Sequence, residues 1–395
     1  MSTRKAAVRA AVSPLTAPSN GVALAASTRS AHRLAAIRPS RRALLTGGAT
    51  AAVGLALAAC GSGTGGSGTS STASDGTVTV VTYDSFDLPD ELIAAFEADT
   101  GYTLEIARSG DGGEVANKLI LTKDAPLGDA VFGINNTMAS RILAEGVIDT
   151  DVALNLPDGA ADYLAPYIVD DTPALVPIDF GEVCVNVDTF WLSDHGLEVP
   201  AIFEDLTDPA YKDMFVAINP TTSSTGMAFL LATIGHFGED GFAQYWKDLV
   251  ANGTKIDEGW SDAYYTDFTA GGGDGAYPIV VSYSSSPAAT LNDDGIATTA
   301  ALPRTATRQV EYAGVLAGAA NPDGAAAFVA WMLSRDVQEA IPDAMYMYPV
   351  DPDAALADDL ANFGATAEDP IVVDPDDIAA HQQEWLTTWA QAVGQ

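Results

Sequence analysis

Aromatic rings and carboxylates gather at the ends of the predicted strands, and together they suit one kind of guest. Tyr83 precedes Asp84, Trp260 precedes Tyr264, Tyr283 precedes a Ser284-Ser285-Ser286-Pro287 turn, and Tyr346 stands nearer the C-terminus. Asp111 and Asp179 add further acids. A flat ring bearing a positive charge would be held by such a set, because aromatic faces attract cations and carboxylates pair with them. Ser223 and Ser224 stand just before Gly226 at a predicted helix start. Hydroxyls and backbone N–H groups there suit hydroxyl or phosphate oxygens. On the residues alone, Asp84 and Asp111 also fit turn or capping roles, and Tyr83 and Tyr283 also fit a core. Trp260 is more telling, because a Gly-Trp-Ser loop gives a core little reason to take an indole.

What the chain lacks narrows the classes. Two Cys exclude a disulfide-stapled scaffold, and four His argue against a His-built zinc site. Neither a cofactor nor a resident metal is expected. With 53 acidic against 18 basic residues, the net charge of −35 disfavours nucleic acid as a partner. A hydrophobic content of 48% is ample for a core.

The charge is uneven. Residues 1–60 hold eight basic residues and no acid, which leaves ten basic residues against 53 acids beyond them, a net of −43. That break marks residues 1–59 as a targeting segment. Ser40-Arg41-Arg42-Ala43-Leu44-Leu45 resembles a twin-arginine signal, and Leu57-Ala58-Ala59-Cys60 resembles a bacterial lipobox. The apolar run between them is too short and too rich in Gly and Ala for a membrane-spanning helix. Cys60 would be acylated, and residues 60–76 would form a Gly/Ser-rich tether. The body would then sit on the outer face of the cytoplasmic membrane, touching it through the lipid only. Cys184 is left alone, and its Val183-Cys184-Val185 setting predicts burial.

The elements that must position these side chains alternate. Thr77–Tyr83, Thr103–Ala107 and Ala130–Ile134 read as strands, separated by helices from Asp90 to Gly101 and from Glu114 to Leu121. Asn136 can cap the next helix. The pattern restarts with strands at Leu175–Ile178, Val183–Val187, Met214–Ile218, Pro278–Ser282 and Val310–Leu316. Helices are predicted over Gly226–His236, Phe242–Ala251, Ser261–Ala270, Ala325–Leu333, from a capping Ser334, and over Asp376–Ala392 with Trp385 and Trp389 on one face. This order predicts an α/β fold with mixed, mostly parallel sheets. Two such units on a lipid leash suggest two lobes and a hinge closing on a ligand at the strand ends. Lobe one would span 77–178 and 312–345, lobe two 179–311, and the segment 346–395 would pack across both.

From Val78 onward the chain resembles the thiamine-binding proteins of ABC importers. The likeness lies in seven ordered segments: Val81 to Phe86, Ala95 to Asp99, Pro177 to Gly181, Asn219 to Gly226, Gly259 to Tyr264, Ser282 to Pro287 and Met347 to Val350. It implies a periplasmic-binding-protein-like fold of type II. It also implies a monomer that takes thiamine or thiamine phosphates and delivers them to an ABC permease and its ATPase. The pocket residues it implies are Asp111, Gly112, Ser223, Ser224, Trp260 and Tyr283 to Pro287, joined by Tyr83, Asp84 and Tyr346. Asp111 would pair with the cation or accept from the amino group of the pyrimidine. Where relatives can carry an aromatic past the Ser-Pro, Ala288 and Ala289 stand here.

Two other readings share this fold. Tyr264-Tyr265 resembles the adjacent tyrosines of ferric-ion-binding proteins, whose hard oxygen ligands suit iron. Thiamine-cleaving enzymes use a nucleophilic Cys, for which Cys184 would be the candidate. Its sequence neighbours include no His to activate it.

Overall fold

The computed structural model describes residues 76–169 and 173–395. The export signal, Cys60 and all but the last residue of the tether lie outside the described residues. Among those described, no helix is long and apolar enough to cross a membrane.

The chain opens with β1 (Thr77–Thr82), α1 (Asp90–Thr100), β2 (Thr103–Arg108), α2 (Gly112–Leu121), β3 (Ala130–Asn135), α3 (Ala139–Ala144) and α4 (Ala160–Leu164). It continues with β4 (Val176–Asp188), α5 (Thr189–Asp194), β5 (Phe215–Ile218), α6 (Ser224–Phe237), α7 (Phe242–Ala251), β6 (Lys255–Asp257) and β7 (Ile279–Tyr283). It ends with β8 (Thr299–Val315), α8 (Pro322–Met332), α9 (Arg335–Met345), β9 (Tyr348–Pro349), α10 (Asp358–Phe363) and α11 (Pro375–Val393).

Local chemistry accounts for the early elements. β1 is nearly all Thr and Val, which pack well on a pleated surface. Asp90 and Glu91 favour the start of α1, and Gly101, left-handed at φ 76°, closes it by donating its N–H to Glu97 O.

Nine strands of the described chain join in one mixed sheet of order β2-β1-β3-β8-β4-β7-β5-β6, with β9 beside β4. The outer groups β2-β1-β3 and β7-β5-β6 pair in parallel. Between them β4 and β8 run antiparallel from Val176↔Ala313 to Asp188↔Thr299, so two βαβ groups are joined through two long central strands. Helices cover the sheet through two main cores. One includes Phe203, Phe229 and Trp246; the other includes Phe96, Phe132 and Phe328.

Several expectations are corrected. The two strands predicted at Leu175–Ile178 and Val183–Val187 are one strand, β4. Pairing with β8 on one side and β9 on the other carries it through Asp179 and Phe180, with a register shift at Pro177/Asp179. β8 begins at Thr299, well before Val310, because β4 supplies a ladder that its polar Pro303–Gln309 stretch does not advertise. Asn136 does not cap α3; its side chain accepts from Val310 N and donates to Arg308 O, tying the loop to β8. Ser334 stands at the N-cap of α9 without a side-chain capping bond. The helix expected over Ser261–Ala270 shrinks to a π-helical turn, Asp262–Asp267.

Helix α11 buries Trp385 and Trp389 as its spacing predicts. Trp389 meets Trp246 of α7 edge to face at 5.7 Å, and Trp385 Nε1 donates to Glu239 Oε1 at 2.8 Å. On the other side Gln382 Nε2 donates to Thr137 O, beside α3, at 3.0 Å.

Candidate functional site

Asp111 caps α2 and gathers three segments. Its Oδ1 accepts from Gly112 N at 2.6 Å and from Ser224 N at 3.0 Å, while Oδ2 accepts from Trp260 N at 2.9 Å. Burial raises this carboxyl above the usual carboxylate range, although the three N–H groups pull the other way. The start of α2 thereby meets the start of α6 and the loop after β6. Gly112 is buried there because a Cβ would come within 2.8 Å of Ser224 Oγ. Ser223, fully buried, uses its hydroxyl to accept from Gly226 N at 3.2 Å and so caps α6.

Trp260 stacks on Tyr264, with centroids 5.0 Å apart and planes 17° from parallel. Its Nε1 donates to Ser282 Oγ at 2.9 Å, which in turn pairs with Ser286 Oγ at 2.8 Å. The indole is therefore fixed in place through the β7 end. Tyr283 stands edge-on to it at 6.2 Å. Ser284, Ser285 and Pro287 are buried formers of the turn that follows.

A polar chain links the tyrosines beneath. Thr225 Oγ1 pairs with Tyr283 Oη at 3.0 Å, and Gln309 Nε2 reaches Tyr283 Oη at 2.9 Å and Glu311 Oε1 at 3.0 Å. Tyr83 Oη donates to Glu311 Oε2 at 3.0 Å. The Tyr83 ring lies against Gly133, left-handed at φ 97°, where a Cβ would stand 2.2 Å from Tyr83 Cδ1. Asp179 is the register partner of Glu311 across β4 and β8. Burial pushes Glu311 up to about 7 and Asp179 well above the usual carboxylate range; the Glu311 charge raises Asp179 further, whereas a protonated Asp179 favours ionised Glu311.

Thus Asp111, Gly112, Ser224 and Trp260 meet directly, and Tyr83 and Tyr283 join through Glu311 and Gln309. Asp84 is exposed, yet near enough to Tyr265 for its charge to raise that phenol. Tyr346 ends α9 in a left-handed conformation at φ 55°, a strained geometry for a ring-bearing residue, and it neighbours Tyr264 and Tyr265 electrostatically. Sequence reasoning missed Thr225, Ser282, Gln309 and Glu311. A Gln and a Glu alternating with Val310 and Tyr312 were the available signal, since buried acids inside a strand are uncommon.

The alternative chemistries fit less well. Burial raises both Tyr264 and Tyr265, which opposes the phenolates that ferric iron needs. Cys184 is fully buried, and burial pushes its thiol up to about 12, far from a working thiolate.

Comparison with known proteins adds descent to this geometry. The family model described as bacterial extracellular solute-binding protein matches residues 131–368. A thiamine-binding periplasmic protein of Salmonella typhimurium (strain LT2) is 29% identical over 329 residues, covering 80% of this chain and 93% of that protein. A solved periplasmic thiamin binding protein superposes with a TM-score of 0.68 at 27% identity, over 81% of this chain and 96% of that one. The apo ferric ion-binding protein A of Pasteurella haemolytica superposes at 0.62 with 15% identity, over 80% of this chain and 98% of that one, a likeness of fold alone.

Proposed function

The chain belongs to the bacterial extracellular solute-binding proteins, and from that premise we propose that it captures thiamine outside the cytoplasm and delivers it to an ABC import permease and its ATPase. The observation that carries this reading is the Trp260–Tyr264 stack beside Tyr283 and Tyr83, with carboxylates below. A thiazolium joined to an aminopyrimidine needs flat faces and negative charge in one place. Thiamine-binding relatives that align over nine-tenths of their own length support the same ligand.

In this reading Trp260, Tyr283 and Tyr346 face the rings, and Tyr83 and Asp84 flank them. Asp111 acts mainly by holding Gly112, Ser224 and Trp260 in register, because both its oxygens already accept backbone N–H groups. Ser224 Oγ is the better candidate for a phosphate or hydroxyl oxygen, because Ser223 caps α6. Ser284, Ser285, Ser286 and Pro287 shape the wall. We assign lobe one to 77–178 and 312–345 and lobe two to 179–311, with 346–395 across both, and we take the chain to work as a monomer held at the membrane through an acylated Cys60.

Isothermal titration of the tether-free body with thiamine, thiamine phosphate and ferric citrate tests the ligand. Binding of thiamine is the expected result. A chain that ignores both thiamine compounds but takes iron would overturn the reading.

A further inference from the structure

We propose that Asp179 and Glu311 form the charge-reading element of the cleft: a buried carboxyl pair in which Asp179 keeps its proton while Glu311 gives its own up to solvent as a flat ring carrying a permanent positive charge binds. The inference rests on the thiamine reading for its ligand and deepens it by naming what recognises the charge.

The geometry starts from an imbalance. Asp179 is fully buried, and neither of its oxygens meets a hydrogen-bond donor among the described residues. Opposite it, Glu311 accepts from Tyr83 Oη on one oxygen and Gln309 Nε2 on the other. Two ionised carboxylates in this position would repel each other, and the two bonds to Glu311 leave Asp179 with nothing to offset its loss of water. One proton removes the conflict, since a protonated Asp179 donates to Glu311, the better hydrogen-bonded of the two. Both groups titrate above the usual carboxylate range, chiefly through burial, which agrees with that arrangement.

The groups facing the pair are Tyr83 just after β1, Tyr283 at the end of β7 and Asp111 at the N-cap of α2, none of them cationic. β9 presents Pro349 and α6 presents Thr225, neither of which titrates. Arg308, three residues along β8, is committed to Glu182 at 2.5 Å and lies over the Phe180 ring. Glu182 therefore has its cation within the chain, whereas the Asp179–Glu311 pair has none among the described residues. The charge that would balance it must come from outside. The two phenols tied to Glu311, directly and through Gln309, belong to the rings proposed to flank the ligand, so charge and faces are built as one unit.

A cation favours ionised Glu311 beside protonated Asp179, so its affinity should rise with pH through about 7. The test is calorimetric titration of the whole body with thiamine and with its neutral thiophene-for-thiazolium analogue, from pH 6 to 8, in buffers of different ionisation enthalpy. Thiamine should bind about tenfold tighter at pH 8 than at pH 6 and release protons. The neutral analogue should do neither. Glu311→Gln should flatten the thiamine profile and weaken thiamine more than the analogue, with Asp179→Asn as the second variant if the first does not fold. Thiamine binding that is flat with pH and releases no proton would overturn the proposal while leaving the ligand reading standing. Wild type that binds neither compound would overturn the ligand reading instead. The pair is then judged by carboxyl carbon NMR of the free chain, where two ionised side chains at pH 6 would refute the retained protons.

Discussion

In the proposed reading Trp260 concentrates the chemistry of the cleft in one side chain, held by Ser282 at its nitrogen and by Tyr264 at its face. A cation over a desolvated indole is worth up to about 2 kcal/mol, and lost stacking adds to that. Trp260→Ala is therefore expected to weaken thiamine by roughly ten- to a hundredfold in calorimetric titration. Trp260→Phe should cost less, though it forfeits the bond to Ser282. Asp111→Asn should cost more than Asp87→Asn, whose side chain is exposed, because an amide cannot accept at both positions where Asp111 now takes backbone N–H groups. Stability should carry its own pH signature. Glu311 titrates higher when folded than unfolded, so its contribution is complete below its unfolded value and is lost as pH rises to about 7. Urea midpoints of Glu311→Gln should lack that decline between about pH 4.5 and 7. Trp260 was conspicuous in the sequence because a Gly-Trp-Ser loop gives a core little reason to take an indole. Glu311 and Gln309 were not, because they gain meaning only from Asp179 and Tyr283 on neighbouring strands.

The elements divide along the same line between local and non-local causes. β1, α1, β2 and α7 follow from β-branched runs, apolar spacing and glycine stops, and the structure places them within a residue or two of expectation. β8 upstream of Val310 owes its strand to seven register partners on β4, which no local pattern encodes. The π-helical turn after Trp260 was read as an ordinary helix because Tyr264 and Phe268 are spaced four apart, as on a helical face. Two substitutions probe the joins. Gly133→Ala should displace the Tyr83 ring and cost about 1–3 kcal/mol, through both its left-handed backbone and the close approach. Trp389→Ala should empty the contact with Trp246 and lower unfolding free energy by about 3–5 kcal/mol, read from denaturant melts.

On the scale of the whole molecule, an export reading and a binding reading meet in one chain. Replacing Arg41 and Arg42 by Lys should block export if the guanidinium pair is read by the twin-arginine receptor, and fractionation of cells would report the retained precursor. Cys60→Ala should release the body from the membrane fraction once the signal is removed. With Cys60 acylated, Cys184 would be the one free thiol in the whole chain, and it lies sealed in β4. The protein then carries its own stopwatch. A thiol-reactive dye can reach it only when the central strands part, so the labelling rate counts openings of the fold, with no introduced probe and one site per molecule. Ligand that grips the cleft should slow that count in proportion to its occupancy.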